Sequence, residues 1–175
     1  KLPTTNEWAK ARRAPTPAEW GAISPVPFVT PEVLGVVHRE IIRPTIEGLQ
    51  AEGIPYCGFI FFGLMLTPEG PKVIEYNVRM GDPETEAVLP RLNEDLLALM
   101  IDAARGHVNT RPMAVKSETA VTVVLTAPGY PGNYPKGLPI AGSELALEGS
   151  LLFHSGTTLR DGQLVTDGGR VLAVT

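Results

Sequence analysis

Cysteine is nearly absent from this sequence, because Cys57 is the single one in 175 residues. One thiol cannot form a disulfide within the chain, and Cys57 lies beside an apolar run. We therefore predict a reduced cysteine in or near the core. Reduced thiols are typical of the cytoplasm, which is where we expect this protein.

Long apolar runs and an excess of positive charge are missing as well. The longest apolar stretch, GFIFFGLML (58–66), is too short to span a bilayer, and the N-terminus lacks the pattern of a signal peptide. The formal net charge is −4, and the short basic cluster of Lys10, Arg12 and Arg13 is typical of a solvated loop. We expect neither a membrane nor a nucleic acid as a partner.

Glycine and proline, in contrast, are plentiful, with 18 and 17 residues and no fixed period. This composition indicates many turns rather than a repeat array. The prolines of residues 1–29 predict a loop there, with at most a short turn at 6–11. With 43% hydrophobic and 19% charged residues, the chain has the composition of an ordinary globular protein.

A helix is predicted from Pro31, with Thr30 as its N-cap. Pro44 should kink or divide this helix, and Gly53 should end it. Its apolar positions form one stripe, which should face the core. The stripe consists of Val33, Val36, Val37, Ile41 and Leu49.

The next segments predict an antiparallel hairpin and a second helix. Residues 58–66 and 72–78 are rich in strand formers, and a Gly- and Pro-containing turn separates them. The helix should run from about 94 to 105, with Asn93 as its cap and Gly106 just beyond its end.

Short β-type runs separated by turns follow from about residue 117. We place a boundary near residues 108–118. The predicted fold class is α+β, with an α+β domain at residues 1–115 and a small, mostly β domain at 116–175.

Three polar side chains alternate at the end of the second hairpin strand, in KVIEYNVRMGDPETE (72–86). In a strand, Glu75, Asn77 and, if the strand continues, Arg79 project from one face, while Ile74 and Tyr76 project from the other. The oxygens of Glu75 and Asn77 suit Mg²⁺, and the guanidinium of Arg79 suits a phosphate or a carboxylate. The sequence therefore offers a candidate metal and anion site.

The same spacing also fits the solvated face of an edge strand, with Glu75 and Arg79 forming a weak surface pair. The residues that follow favour a site, since Gly81 and Pro83 shape a turn and Asp82 and Glu84 add two carboxylates.

The run GFIFFGLMLTPEGPKVIEYNVRMGDPETEAVLPRL (58–92) resembles the second half of the ATP-grasp core in the glycinamide ribonucleotide synthetase (phosphoribosylamine–glycine ligase) family. The family signature Arg-Phe-Gly-Asp-Pro-Glu stands here as RMGDPE (79–84), with Met80 and, further on, Glu86 as departures. Segments 21–32, 41–49 and 153–175 are also similar, so the resemblance covers about residues 21–175.

The resemblance implies a ligase of purine biosynthesis that activates glycine with ATP as an acyl phosphate, which the amine of 5-phosphoribosylamine then attacks. It implies that Glu75 and Asn77 bind Mg²⁺ or Mn²⁺, and that Glu75, Asn77 and Arg79 bind the nucleotide and its metal. Arg79, Asp82 and Glu84 would be the catalytic or substrate-contacting residues. Only small-molecule partners are expected, and the protein should be a monomer.

The sequence departs from the family ahead of residue 21, where ARRAPTPAEWGA replaces a glycine-rich loop. The amino-terminal domain, the first half of the ATP-grasp unit and the last C-terminal elements of the family also have no counterpart here. We therefore expect the β domain to be truncated and the 175-residue chain alone to be inactive. Two other hypotheses stay open at this stage: an ATP-grasp ligase for another acid and amine, and a noncatalytic remnant. For His154 a contribution to the site and a role in local hydrogen bonding both remain possible.

Overall fold

The computed structural model describes residues 20–108, 112–142 and 148–175, so the predicted turn at 6–11 and the basic cluster of Lys10, Arg12 and Arg13 lie outside the described residues. The chain divides into two compact units. Among the described residues, one unit is Ile23–Ala120, and the other combines residues 20–22 with those that follow Ala120. Helices and antiparallel strands are both present, which confirms the α+β class. The domain boundary at residues 115–116 stays a prediction.

A helix in three segments opens the Ile23–Ala120 unit: α1 (Pro31–Val37), a π-helical turn (His38–Ile42) and α2 (Arg43–Ala51). Thr30 caps α1 as predicted, since its side chain accepts a hydrogen bond from the Val33 backbone at 3.4 Å. The division predicted at Pro44 is observed, because proline has no backbone N–H to continue the regular pattern and the π turn directly precedes it. The apolar stripe contributes two buried residues, Val37 and Ile41.

The predicted hairpin is confirmed as β2 (Phe61–Thr67) and β3 (Gly70–Asn77), which pair antiparallel. The register shifts between Gly63 and Leu64, where Ile74 has no opposite residue. Such an irregularity interrupts the simple alternation of faces along a strand. On the regular side of the shift, Phe62 and Tyr76 are opposite each other, and their rings meet edge to face at 5.4 Å.

Two short helical turns, α3 (Glu84–Val88) and a 3₁₀ turn (Leu89–Arg91), lead to α4 (Leu96–Ala104). The prediction that Asn93 caps α4 is wrong, because the helix begins at Leu96 and not at residue 94. Asp95 is the cap, and its carboxylate accepts a hydrogen bond from the Ala98 backbone at 3.0 Å. The backbone of Asn93 instead donates to the Ala114 carbonyl at 2.9 Å.

Arg91 connects three separate parts of this unit. Its guanidinium donates to the Ser24 hydroxyl at 2.8 Å, to the Glu118 carbonyl at 2.7 Å and to the Lys116 carbonyl at 3.0 Å. The planar fork of arginine suits such a multiple contact. Arg91 therefore fastens the segment before α1 and the segment after α4 to the 3₁₀ turn.

A four-stranded sheet has the order β1 (Gly21–Ser24), β4 (Ala120–Thr126), β8 (Arg170–Val174) and β5 (Leu152–His154). Most of its residues belong to the other unit, which also has a β6–β7 hairpin (Thr157–Arg160 and Gln163–Thr166). The loop prediction for residues 1–29 missed β1. A Cβ at Gly21 would lie 2.5 Å from the Thr122 carbonyl oxygen, so glycine permits this close approach. The core contains Ala127, Val171 and Leu172.

Cys57 is exposed, so the prediction of a core or near-core cysteine is wrong. The apolar run begins to be buried only from Ile60, because residues 54–59 form an exposed irregular segment ahead of β2. The Cys57 thiol donates to the Ala103 carbonyl at 2.7 Å. Among the described residues, no helix combines the length and the apolar character needed to cross a membrane.

Candidate functional site

The three alternating polar residues form one hydrogen-bonded row at the end of β3. Asn77 donates through Nδ2 to Glu75 Oε1 at 2.9 Å, and Arg79 donates through Nη2 to Asn77 Oδ1 at 3.4 Å. Arg79 lies beyond the last strand residue, but its Nη1 also donates to the Met80 carbonyl at 2.8 Å. The structure thus brings together the carboxylate, amide and guanidinium that the sequence singled out.

Space for this row comes from a glycine on the neighbouring strand. Gly63 is opposite Glu75, and a Cβ at position 63 would lie 2.8 Å from the Glu75 Cγ. A real side chain there would displace the Glu75 side chain. Gly63 was not identified as a site residue from the sequence, although a glycine inside an apolar strand run is a recognised sign of close approach.

A tight turn after the row places Glu84 against Gly81. A Cβ at Gly81 would collide with the Glu84 carboxylate and would lie 2.9 Å from a ring carbon of Phe61, which is the residue opposite Asn77. Glu84 therefore lies near the same end of the hairpin as Asn77. Its Oε2 is buried and has no hydrogen-bond partner among the described residues, whereas Asp82 is exposed.

The row has the donor set of a hard-metal site. Within residues 20–108, 112–142 and 148–175, no group of three or more His, Cys, Asp or Glu side chains could hold a metal ion. Glu75 and Asn77 offer one carboxylate and one amide oxygen, and Mg²⁺ commonly takes only one or two protein ligands together with water and phosphate oxygens. The two side chains therefore fit Mg²⁺.

The helix-facing side of the hairpin forms a separate cavity of about 400 Å³. Val73 and Tyr76 line it together with residues of the α1–α2 helix, such as Ile41 and Leu49. None of the predicted site residues lines this cavity. The two sides of β3 therefore have different environments, one with the polar row and one with mainly apolar groups.

The histidines lie outside the row. His154 is exposed at the end of β5, and its Nδ1 is 3.0 Å from the Thr157 hydroxyl, a local hydrogen bond. His38 lies in the π-helical turn and His107 follows α4, and both are exposed. The contact of His154 agrees with the role in local hydrogen bonding that the sequence left open.

Two parts of the chain match models of one protein family. Residues 13–85 match the phosphoribosylglycinamide synthetase ATP-grasp (A) domain, and residues 120–175 match the C domain of the same synthetase. The first match contains Glu75, Asn77 and Arg79, and it also contains Asp82 and Glu84.

Individual relatives agree with these matches. The phosphoribosylamine–glycine ligase of Brucella melitensis is 46% identical over 163 residues, which cover 92% of this chain and 38% of that protein. The trifunctional purine biosynthetic protein adenosine-3 of Gallus gallus is 45% identical over 92% of this chain and 16% of its own length. The chain thus spans well under half of the curated relatives that it matches.

A solved structure supports the fold. The crystal structure of the phosphoribosylamine–glycine ligase from Thermotoga maritima matches with a TM-score of 0.74 and 38% identity, over 89% of this chain and 38% of that one. The chain belongs to the phosphoribosylglycinamide synthetase family, and it contains the second half of the family's ATP-grasp domain followed by a small, mostly β region of the C domain.

Proposed function

We propose that the polypeptide to which this chain belongs is a phosphoribosylamine–glycine ligase of purine biosynthesis. The reaction joins glycine to 5-phosphoribosylamine and consumes ATP. Relatives at about 46% identity carry that name, and both matched family domains come from that synthetase. The structural observation that carries the proposal is the hydrogen-bonded row of Glu75, Asn77 and Arg79 on the ATP-grasp part of the chain.

The proposed chemistry has two steps that balance. A glycine carboxylate oxygen attacks the γ-phosphorus of ATP, forming glycyl phosphate and releasing ADP. The amine of 5-phosphoribosylamine then attacks the carbonyl carbon, loses a proton and displaces inorganic phosphate, giving glycinamide ribonucleotide. Neither step needs a covalent bond to the protein, so positioning and charge neutralisation carry the catalysis.

Glu75 and Asn77 would hold the divalent ion, for which we propose Mg²⁺, with Mn²⁺ as a substitute. Such an ion neutralises phosphate charge during phosphoryl transfer. The ligand assignment is supported by the exposed position of Glu75, by its oxygen donors and by the space that Gly63 leaves. Metal and nucleotide binding by Glu75, Asn77 and Arg79 is part of the proposal.

Arg79 and Glu84 would contact the substrates. The Arg79 guanidinium is exposed and can bind a phosphate or the glycine carboxylate in a bidentate manner. The buried, unpaired Oε2 of Glu84 can accept a hydrogen bond from a substrate N–H or O–H, and a buried polar atom without a partner is a common sign of a functional position. Asp82, exposed beside them, is proposed as a further substrate contact.

The remaining predictions belong to the same proposal. Small molecules are the partners, and the enzyme acts as a cytoplasmic monomer with domains at 1–115 and 116–175 in this stretch. Since the chain spans 38% of the Brucella ligase, we also propose that it does not turn over by itself.

The experiment is an ADP-release assay on the intact polypeptide with Mg-ATP, omitting glycine and 5-phosphoribosylamine in turn. Release that requires both substrates supports the proposed reaction. Release that depends on another acid would retain an ATP-grasp ligase but reject this substrate pair. No release under any condition would favour a noncatalytic protein.

A further inference from the structure

The orientation of the Asn77 amide follows from its two neighbours. A guanidinium has only donors and an ionised carboxylate has only acceptors. Asn77 therefore turns Oδ1 toward Arg79, at 3.4 Å, and Nδ2 toward Glu75 Oε1, at 2.9 Å. The opposite orientation would place two donors together on one side and two acceptors together on the other.

This orientation is not the one that the metal proposal needs. Asn77 points an N–H group, and not an oxygen, at the Glu75 carboxylate. Mg²⁺ and Mn²⁺ take oxygen ligands from such residues. For Glu75 and Asn77 to offer oxygens to the same ion, their hydrogen bond must break and the amide must turn.

Turning the amide has a consequence for Arg79. The Asn77 Nδ2 would then face the guanidinium, and two donors have no hydrogen bond to share. Arg79 would lose its contact with Asn77 but keep the bond from Nη1 to the Met80 carbonyl at 2.8 Å. That bond would hold the guanidinium at the site while Nη2 becomes available.

We propose that Arg79 is a positioning residue that restrains metal binding through Asn77, and that this restraint is released when Asn77 turns. The inference rests on the proposed function, because it assumes that Glu75 and Asn77 hold the ion. Release frees the Nη2 hydrogen that Asn77 had accepted, so Arg79 gains one more donor for an anion. Metal and anion should therefore bind with positive coupling, which favours a nucleotide that arrives with its metal.

The test measures the dissociation constant of Mn²⁺ alone, by electron paramagnetic resonance, in the intact polypeptide. Arg79→Lys keeps the positive charge but shortens the side chain and removes the fork, so the contact with Asn77 is lost. We expect Mn²⁺ to bind about threefold to tenfold more tightly to this variant, the equivalent of one hydrogen bond. Arg79→Met should bind at least as tightly.

Arg39→Lys is the matched control. Arg39 is an exposed arginine of the same unit, and its guanidinium contacts Glu40 at 2.7 Å. The Mn²⁺ dissociation constant of this variant should equal that of the unmodified protein. Glu75→Gln should greatly weaken binding and thereby show that the measured ion occupies the proposed site.

Several results would overturn the inference. If Arg79→Lys binds Mn²⁺ with the affinity of the unmodified protein, and only Arg79→Met binds it more tightly, then the charge of Arg79 and not its contact with Asn77 affects metal binding. Weaker binding by Arg79→Lys would mean that Arg79 supports the ligands instead of restraining them. Mn²⁺ binding that does not depend on Glu75 would also reject the inference. The ligase function is tested separately, by the dependence of ADP release on both substrates.

A second measurement needs no substitution at Arg79. The side-chain amide resonance of Asn77 and the Nε resonance of Arg79 can be followed by NMR as Mg²⁺ is added to the unmodified protein. Both should shift together if the amide turns and the guanidinium is released. An Asn77 resonance that stays unchanged at saturating Mg²⁺ would contradict the proposal.

Discussion

Asn77 and Glu75 are two residues apart on β3, and the Asn77 side chain donates to the Glu75 carboxylate at 2.9 Å. This contact shows that the two side chains share one face and lie close enough to act on the same ligand. Arg79 extends the row on the other side of Asn77, so the three side chains form one connected group and not a set of separate surface residues.

Glu75→Gln should reduce ligase turnover in the intact polypeptide by roughly a hundredfold, because an electrostatic contribution to phosphoryl transfer is lost. The exposed side chain makes only local contacts, so the free energy of unfolding should stay nearly unchanged. Turnover and urea denaturation measure the two effects. Glu69→Gln, in the turn of the same hairpin, is the control and should retain activity. Equal losses of stability and activity in Glu75→Gln would favour a structural role.

Gly63→Ala should weaken Mn²⁺ binding, because the new Cβ would lie 2.8 Å from Glu75 Cγ and push that side chain away. Gly48→Ala is the matched control, since a Cβ there meets nothing within 4 Å. This control lies in α2, where replacing glycine by alanine should stabilise the protein by roughly 0.5–1 kcal/mol. Metal titration of both variants is the measurement. Unchanged affinity in Gly63→Ala would show that Glu75 does not need its observed position.

Thr30→Ala should destabilise the protein by about 1 kcal/mol, since it removes the N-cap of α1. Two hydrogen bonds lower the pKa of the Glu32 carboxyl: the larger effect comes from the Thr30 hydroxyl and the smaller from the backbone N–H of Glu32. The variant should therefore have a Glu32 pKa closer to the ordinary value of 4.5, while Thr30→Ser should preserve the lowered pKa.

The pH dependence of stability follows from the direction of that shift. A carboxyl with a lowered folded-state pKa stabilises the fold above its unfolded-state pKa, and this contribution is lost as the pH falls through the folded-state value. The difference in stability between Thr30→Ala and the unmodified protein should thus be larger at pH 7 than at pH 3. Urea denaturation at both pH values and NMR titration of Glu32 test this. An unchanged Glu32 pKa in the variant would be incompatible with the account.

Arg91→Met should lower the free energy of unfolding by about 2 kcal/mol, because it removes three charge-assisted hydrogen bonds, one to Ser24 and two to the segment that contains Lys116 and Glu118. Arg105→Met, which replaces an exposed arginine at the end of α4, is the control and should change stability little. Chemical denaturation provides the comparison. Equal stability of the two variants would show that the contacts of Arg91 contribute little to the fold.

Local sequence signals predicted the hairpin and the long helix well. Strand formers on both sides of a Gly- and Pro-containing turn specify β2 and β3, and Thr30 with Pro31 specifies the start of α1. The π-helical turn could be anticipated only as a division near Pro44, because proline excludes a backbone hydrogen bond without determining how the preceding turn responds.

Local sequence signals did not predict the features that depend on residues far apart in the chain. β1 forms beside β4, about a hundred residues later in the chain, and the Gly21 approach to Thr122 has no local signature. The alternation of Glu75, Asn77 and Arg79 predicted a shared face, but the direction of the Asn77 amide depends on both neighbouring side chains. The prediction for Cys57 was wrong because it relied on the residue type and on the neighbouring apolar run. The irregular segment ahead of β2 leaves Cys57 exposed.

The most direct measurement of the central claim follows one oxygen atom. The intact polypeptide is supplied with Mg-ATP, 5-phosphoribosylamine and glycine labelled with ¹⁸O in its carboxylate, and the inorganic phosphate is analysed by mass spectrometry. If glycyl phosphate forms and is displaced by the amine, each phosphate must carry one oxygen from glycine. Phosphate without ¹⁸O, formed together with glycinamide ribonucleotide, would contradict the account.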